Sequence, residues 1–274
     1  QKNSYTAVTL ITHFFPDYTK TILSFIAQHI KIDRKTIHKL FFTGNSNETC
    51  AALMLAVQNQ VEATQSILKF ISANIDHFGP YLLNKMFLEK NEDGNSIIML
   101  ASIYSPRALS AILHFIDTHT HHFFLEKIPE FFLLCNLNNF NCLMLAADRQ
   151  CESLKILFDY INEKIEFFSE HLKTLFLTKT EKGYHTLTLA RFYPELFLPL
   201  IKFYINQKLS TLEQLFFEHY NFDMTLLILL AKDDTPTLKP TLNFLEEHTD
   251  LLPAEKWPQL IAHNNDHDYN SFML

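Results

Sequence analysis

The sequence predicts an all-α protein built from six copies of one helical repeat. A short apolar motif ending in alanine recurs at a nearly constant interval, and a second apolar set with helical spacing follows each copy. The composition also favours helices over strands. The motif is clearest at residues 138–147, NNFNCLMLAA. The alanine column reads Ile11, Ala56, Ala101, Ala146, Ala190 and Ala231, with spacings of 45, 45, 45, 44 and 41 residues.

Each repeat is expected to contain three helices. The motif itself predicts the first helix. Seven or eight residues after the alanine, apolar residues recur at i, i+3, i+4 and i+7, as at Leu109, Ile112, Leu113 and Ile116, which is one face of a second helix. Stretches such as residues 76–88 and 165–177 are long enough for a third helix of about two to three turns.

The turns between these helices have their own signals. Pro16, Pro106, Pro194 and Pro236 precede the second apolar set, and proline is tolerated at the first position of a helix. Gly94, Asn139 and Gly183 stand seven residues before the alanine column, where they accept a left-handed backbone at low cost. Because Thr49 and Met224 occupy that column in two other repeats, we expect a different turn and weaker local order there.

Composition and charge exclude several classes of protein. The chain has four glycines and three valines, and its net charge of -7 includes no stripe of basic residues. Nucleic acid is therefore not an expected partner, because binding it requires clustered lysine and arginine. The longest apolar run is under half the length that spans a bilayer, so no membrane span is expected.

Residues 93–101, DGNSIIMLA, resemble the ankyrin signature Asp-Gly-x-Thr-Pro-Leu-His-Leu-Ala, and residues 183–190 are similar to it. The resemblance implies a curved solenoid of stacked antiparallel helix pairs, with a concave binding surface lined by the first helices and the loops before them. Ankyrin repeats have about 33 residues, so we assign the extra residues here to the third helix. Ile97, Cys142 and Thr186 replace the proline of the signature. An armadillo-like or HEAT-like solenoid is the alternative.

The spacing predicts a single solenoid over residues 1–274. Its repeats are expected at about residues 1–38, 39–83, 84–128, 129–172, 173–214 and 215–262. Residues 263–274 restart the motif, with the next alanine position at 275. We therefore expect a truncated seventh repeat and a natural protein that continues.

The sequence offers little chemistry for catalysis or metal binding. His119, His121 and His122 form the densest histidine cluster, but no other ligand type accompanies them at fixed spacing, so we interpret them as a polar loop between the second and third helices. The cysteines are interpreted as buried thiols of a reducing compartment rather than nucleophiles. They are Cys50, Cys135, Cys142 and Cys151. We therefore predict no catalytic residue, metal or cofactor, and no enzyme activity in this segment.

The residues one to three places after each alanine vary between repeats, whereas the framework around them does not. Tyrosine, tryptophan and arginine dominate interface energetics, so we predict partner-binding residues at these helix ends. They are Tyr104, Asp148, Arg149, Arg191, Phe192 and Tyr193. The alternative is a set of solvated helix ends with some aromatic rings buried against the next turn.

These observations predict a protein–protein interaction scaffold. The long, divergent repeats are similar to repeat regions of effectors from intracellular bacteria, which implies a host protein as partner and secretion into the cytosol of a host cell. A second hypothesis is a substrate-recruiting or regulatory region of an enzyme whose catalytic domain lies outside this segment. A third is a peptide or small molecule bound in the concavity.

Overall fold

The computed structural model describes residues 6–42, 51–220, 224–233, 235–252 and 254–262. Helices joined by turns make up most of these ranges, and within them extended pairing is limited to one isolated bridge between Tyr220 and Met224. The helices are α1 (Ala7–Phe14), α2 (Thr19–His29), α3 (Arg34–Phe41), α4 (Ala51–Asn59), α5 (Val61–Ala73), α6 (Ile75–Leu88), α7 (Ile97–Tyr104), α8 (Pro106–Thr118), α9 (Glu130–Leu133), α10 (Cys142–Arg149), α11 (Cys151–Glu163), α12 (Ile165–Phe168), α13 (Leu172–Leu177), α14 (Thr186–Leu189), α15 (Pro194–Asn206), α16 (Leu212–Phe217), α17 (Leu226–Lys232), α18 (Leu238–Glu247) and α19 (Trp257–Ala262).

The helices repeat in the predicted order. The first helices are α1, α4, α7, α10, α14 and α17, and the second helices are α2, α5, α8, α11, α15 and α18. The third place holds α3, α6, α9, the pair α12 and α13, α16, and α19. The prediction of an all-α array of six repeats with an extra third helix is therefore confirmed. No helix of the described residues is long and apolar enough to cross a membrane.

The chain divides into two compact units. The N-terminal unit contains residues 1–137 and 141–169, and the C-terminal unit contains residues 138–140 and 170–274. The predicted single solenoid and its repeat boundaries stay a prediction. In the N-terminal unit, equivalent helices of neighbouring repeats pack against each other. The first helices contact in the order α1, α4, α7 and α10, and the second helices in the order α2, α5, α8 and α11. The third helices α3, α6 and α9 follow the same rule.

The alanine column occupies one equivalent place in the N-terminal unit. Each of its members accepts the final hydrogen bond of its first helix, from the backbone N–H four residues later. The bonds are Phe15 to Ile11 (2.7 Å), Gln60 to Ala56 (2.8 Å), Ser105 to Ala101 (3.0 Å) and Gln150 to Ala146 (2.8 Å). The three alanines are completely buried. A methyl group at this place lets neighbouring helices approach closely.

The column continues only in part through the C-terminal unit. Ala190 is also completely buried, although α14 is short and a 3₁₀ turn over Ala190–Phe192 follows it. The assignment of Ala231 was wrong. It lies six residues after the N-cap Thr225, whereas Ala101 and Ala146 lie five residues after theirs. Ala231 is half-buried, and Leu230 takes the buried place.

The turn before the first helix has the predicted backbone. Gly94, Asn139 and Gly183 have φ values of +80°, +61° and +81°. The N-cap residues of the helices that follow are Ser96, Asn141 and His185. Each left-handed residue lies two positions before its N-cap. Met224 was placed in this column wrongly, because it directly precedes the cap Thr225. The predictions for Thr49 and for residues 263–274 lie outside the described residues.

The proline signals are confirmed at two positions. Pro106 and Pro194 are the first residues of α8 and α15. Pro16 instead begins a 3₁₀ turn ahead of α2, and Pro236 lies in the turn before α18. The third helices are less regular than expected. Gly79, with φ +64°, kinks α6 directly before Pro80.

Candidate protein-binding surfaces

The N-terminal unit carries an exposed row of side chains at the ends of its first helices. The row consists of the residues three places after the alanine column, namely Phe14, Asn59, Tyr104 and Arg149. Phe14 is 61% exposed, Tyr104 is 52% exposed and the Arg149 side chain is 66% exposed. Because the first helices pack in order, these equivalent places follow one another along the unit. We call this set the N-terminal row.

Sequence reasoning predicted Tyr104 and Arg149 but missed Phe14. The signal was present, since Phe14 stands three residues after Ile11, but the first copy of the motif is weak. Asp148 lies beside the row, and its Oδ2 is 2.8 Å from Nε of Arg149. Both side chains are exposed, and ion pairs of this kind contribute at most about 1 kcal/mol. Arg149 can therefore exchange Asp148 for an acidic group of a partner at little cost.

The C-terminal unit presents Phe192 on the 3₁₀ turn that follows α14. Phe192 is 45% exposed, and the guanidinium of Arg191 lies 4.4 Å from the centroid of its ring. Such contacts between a cation and an aromatic face are attractive. Tyr193 is half-buried and directly precedes α15. Phe192 is therefore the exposed aromatic residue of the predicted set in this unit.

Arg191 has an intramolecular role that the sequence did not show. Its Nε donates to Oδ2 of Asp233 at 2.7 Å, and a terminal nitrogen donates to the Thr188 carbonyl at 2.8 Å. The side chain is only 15% exposed. The hydroxyl of Thr237 also donates to the Arg191 carbonyl at 2.5 Å. Arg191 thus links the fifth repeat to the sixth, and its guanidinium group packs against the ring of Phe192.

A partly buried polar cluster lies in the same unit. The Tyr220 hydroxyl donates to Oε2 of Glu218 at 3.0 Å, and Nε2 of His185 lies 3.3 Å from the same oxygen. Lys179 pairs with the other carboxylate oxygen. Burial alone would raise the pKa of Glu218, but hydrogen bonds from His185 and Lys179 and their charges lower it to about 2.

The imidazole and phenol of this cluster have no open access, although the Glu218 and Lys179 side chains are 26% and 45% exposed. His185 is completely buried and Tyr220 is 4% exposed, so a substrate could not reach the imidazole. The cluster instead joins the turn before α14 to the segment after α16. Sequence reasoning missed it, although His185 stands in a capping column that holds Ser96, Asn141 and Thr225 in other repeats.

The histidine cluster lies where the sequence placed it, at the end of α8 and in the 3₁₀ turn Thr120–His122. Nε2 of His119 is 2.9 Å from Oγ of Ser72. Burial and the nearby His122, His121 and His114 lower the pKa of His119. Among the described residues, no group of three potential ligand side chains could hold a metal ion.

Cys135 and Cys142 are not arranged as nucleophiles. Both are free thiols, and Cys50 lies outside the described residues. Burial raises the pKa of the Cys142 thiol to about 12, and it raises that of Cys135 as well. Since the thiolate is the nucleophile, neither residue is activated at neutral pH.

The chain is similar to an ankyrin repeat domain. That domain is from Bcl-3, described as a unique member of the IkappaB protein family. The TM-score is 0.37 and the sequence identity is 13%, over 83% of this chain and 95% of that one. No protein-family model and no curated protein matches the sequence.

Proposed function

We propose that the chain is a protein–protein interaction scaffold whose N-terminal row contacts a partner protein. One observation carries the proposal: different side chains occupy equivalent exposed places on a framework whose alanines are completely buried. A fixed framework with varied exposed residues allows one fold to present a specific surface. The row includes aromatic and arginine side chains, which are the types most frequent among energetic hot spots of interfaces.

Phe192 in the C-terminal unit is proposed as a second, independent contact. An exposed aromatic ring is a good interface anchor when its position is fixed before binding, because less side-chain entropy is then lost. The contact with Arg191, which is itself held by Asp233 and Thr188, supplies that order. Asp148 and Tyr193 flank the two contacts and complete the proposed set.

We also propose that the partner is a host protein and that the chain acts in host cytosol as part of a secreted bacterial effector. The support is the resemblance of the long, divergent repeats to those of such effectors. The free thiols of Cys135 and Cys142 suit a reducing compartment. A translocation reporter fused to the natural protein that gave no signal in the host cytosol would contradict this setting.

Affinity purification from lysate of candidate host cells tests the interaction. The bait is residues 1–274, and the test variant combines Tyr104→Ser with Arg149→Ser. The control combines Tyr81→Ser with Lys35→Ser, which removes an exposed tyrosine and an exposed cation from α6 and α3. Arg191 is left intact because its removal would break the tie to Asp233.

We expect the test variant to recover at least about tenfold less partner than the unmodified chain. Truncation of hot-spot residues that costs about 1.4 kcal/mol or more weakens binding by about this factor. The control is expected to retain it. Unchanged circular dichroism spectra would show that both variants are folded. Equal partner recovery by the test variant and by the unmodified chain would contradict a role for the N-terminal row.

A further inference from the structure

We infer that a groove between α5 and α8 binds a short acidic peptide segment of a partner protein. The inference rests on the proposed scaffold function and adds a second surface to it, on the second helices rather than the first. The groove lies within the N-terminal unit and has a volume of about 640 Å³. That volume is within the range of roughly 300–1,000 Å³ that is typical of ligand pockets.

The repeat fixes which side chains face each other across the groove. Residues of α5 and α8 correspond at an offset of 45, so Gln65 is level with Ser110 and Lys69 is level with His114. Leu68, Ala111 and Phe115 also line the groove, and Leu68 and Phe115 are only 5% and 3% exposed. The groove therefore has a largely buried apolar floor bordered by groups that can form hydrogen bonds.

The charged side chains that line the groove are both cationic, Lys69 and Arg107. The imidazoles of His114 and His119 also line it, and none of the described lining residues is acidic. Within the described part of the chain, neither Lys69 nor Arg107 forms an ion pair. Glu62 is level with Arg107 at the same offset but does not line the groove, so the lining itself is basic in a chain with a net charge of -7.

Asp117, the acidic residue of α8 closest to His119 in sequence, is directed to the other side of the helix. Its carboxylate accepts a hydrogen bond from the Tyr160 hydroxyl at 3.0 Å and lies 3.4 Å from the Lys164 ammonium group, both on the side of α11. It therefore does not neutralise the bases of the groove. Complementary charge favours an anionic occupant.

The two cations of the groove are separated along it. Lys69 is level with His114, so it lies seven residues from Arg107 along the helix direction, about 10 Å. An extended peptide, at about 3.3 Å per residue, covers that distance with three to four residues, so a hexapeptide with acidic ends reaches both cations. Apolar side chains in its middle would meet Leu68 and Phe115.

Fluorescence anisotropy with a labelled hexapeptide, Glu-Asp-Leu-Phe-Asp-Glu, tests the inference on residues 1–274. We expect saturable binding that weakens with added salt. Lys69→Glu combined with Arg107→Glu is expected to weaken it by at least about tenfold, a loss of about 1.4 kcal/mol. The control combines Lys35→Glu with Lys173→Glu, two exposed lysines of α3 and α13, and changes the net charge equally. The control should bind within about twofold of the unmodified chain.

Three outcomes would overturn the inference. They are equal binding by the two double variants, equal binding of the neutral peptide Gln-Asn-Leu-Phe-Asn-Gln, and displacement of the acidic peptide by an equal concentration of inorganic phosphate. The variant with Tyr104→Ser and Arg149→Ser should bind the peptide normally. Because this assay needs no cellular partner, its result is separate from that of the affinity purification. Thermal unfolding of each variant shows that the fold is kept, and Lys69→Gln with Arg107→Gln repeats the test without reversing charge.

Discussion

Gly94 and Gly183 occupy the same place in two repeats but have different surroundings. Both have a left-handed backbone, with φ values of +80° and +81°. A Cβ atom at Gly94 would lie 2.9 Å from the backbone nitrogen of Leu137 and 3.1 Å from Cα of Asn136. At Gly183 the nearest atom would be Cα of Tyr220, at 3.9 Å. The first glycine is needed for space as well as for its backbone.

We therefore expect Gly94→Ala to destabilise the chain more than Gly183→Ala. Each should lose about 1–2 kcal/mol because alanine disfavours the left-handed region. Gly94→Ala should lose a further 1–3 kcal/mol, as overpacked sites do, because backbone atoms cannot move aside easily. Urea unfolding followed by circular dichroism measures both. Equal losses would show that the close approach of Leu137 is not a constraint.

Because of Glu218, the stability of the C-terminal unit should decrease at acidic pH. Its pKa is lowered from 4.5 to about 2 by His185 and Lys179. A lowered folded-state pKa stabilises the fold above the unfolded value of 4.5, and this contribution is lost as the pH falls towards 2. The melting temperature of the unmodified chain should therefore exceed that of Glu218→Gln at pH 6. The difference should shrink between pH 4.5 and 2, and a constant difference would contradict the assigned ion pairs.

Single residues also show what the sequence could predict. The left-handed backbone at Gly94, Asn139 and Gly183 was predictable because it depends on a local turn. The pair of Arg191 with Asp233 was not, because the two residues are 42 positions apart and either could have pointed to solvent. A predicted binding residue was for this reason found in a structural role.

At the scale of helices, the start of α8 depends on Ser105. Its hydroxyl oxygen accepts a hydrogen bond from the backbone N–H of Ala108 at 3.1 Å, ahead of Pro106 at the first helical position. Ser66 provides a contrast inside α5, where its hydroxyl donates to the Glu62 carbonyl at 2.7 Å. Serine is favourable at a helix start and unfavourable in a helix interior.

Replacement by alanine should thus have opposite effects at the two serines. Ser105→Ala should lower the free energy of unfolding by about 0.5–2 kcal/mol, because an amide of the first turn loses its partner. Ser66→Ala should leave it unchanged or raise it by a few tenths of a kcal/mol, since alanine has the higher helix propensity. Thermal unfolding of both variants makes the comparison, and a larger loss for Ser66→Ala would refute the capping role.

The third helices show where prediction by pattern stops. Their apolar residues indicated that a helix follows each second helix, and this is confirmed. The pattern did not show that residues 165–177 form two short helices, α12 and α13, or that α9 has a single turn. The break between α12 and α13 depends on packing that the sequence does not display. The kink of α6 at Gly79 and Pro80 and the late start of α9 after Pro129 each had a local signal.

At the scale of the whole molecule, the repeats form a regular framework in the N-terminal unit and a less regular one in the C-terminal unit. In the N-terminal unit Ala56, Ala101 and Ala146 occupy one buried place on helices that pack in order. The C-terminal unit keeps the place at Ala190 but shifts it by one residue in the sixth repeat, where Leu230 is buried instead. The sequence motif identified the helix correctly but not the residue at which it begins. The N-terminal row could be predicted because it depends on the regular part of the framework.

Enlarging the alanines tests this account most directly, by comparing Ala146→Leu with Ala231→Leu. The free energy of unfolding, measured in urea, should fall by about 1–3 kcal/mol for Ala146→Leu, because the added atoms overpack a completely buried place between first helices. Ala231 has the same motif but is half-buried, and its replacement should cost less than about 0.5 kcal/mol. Equal stability of Ala146→Leu and the unmodified chain, or a larger loss for Ala231→Leu, would contradict the repeat framework.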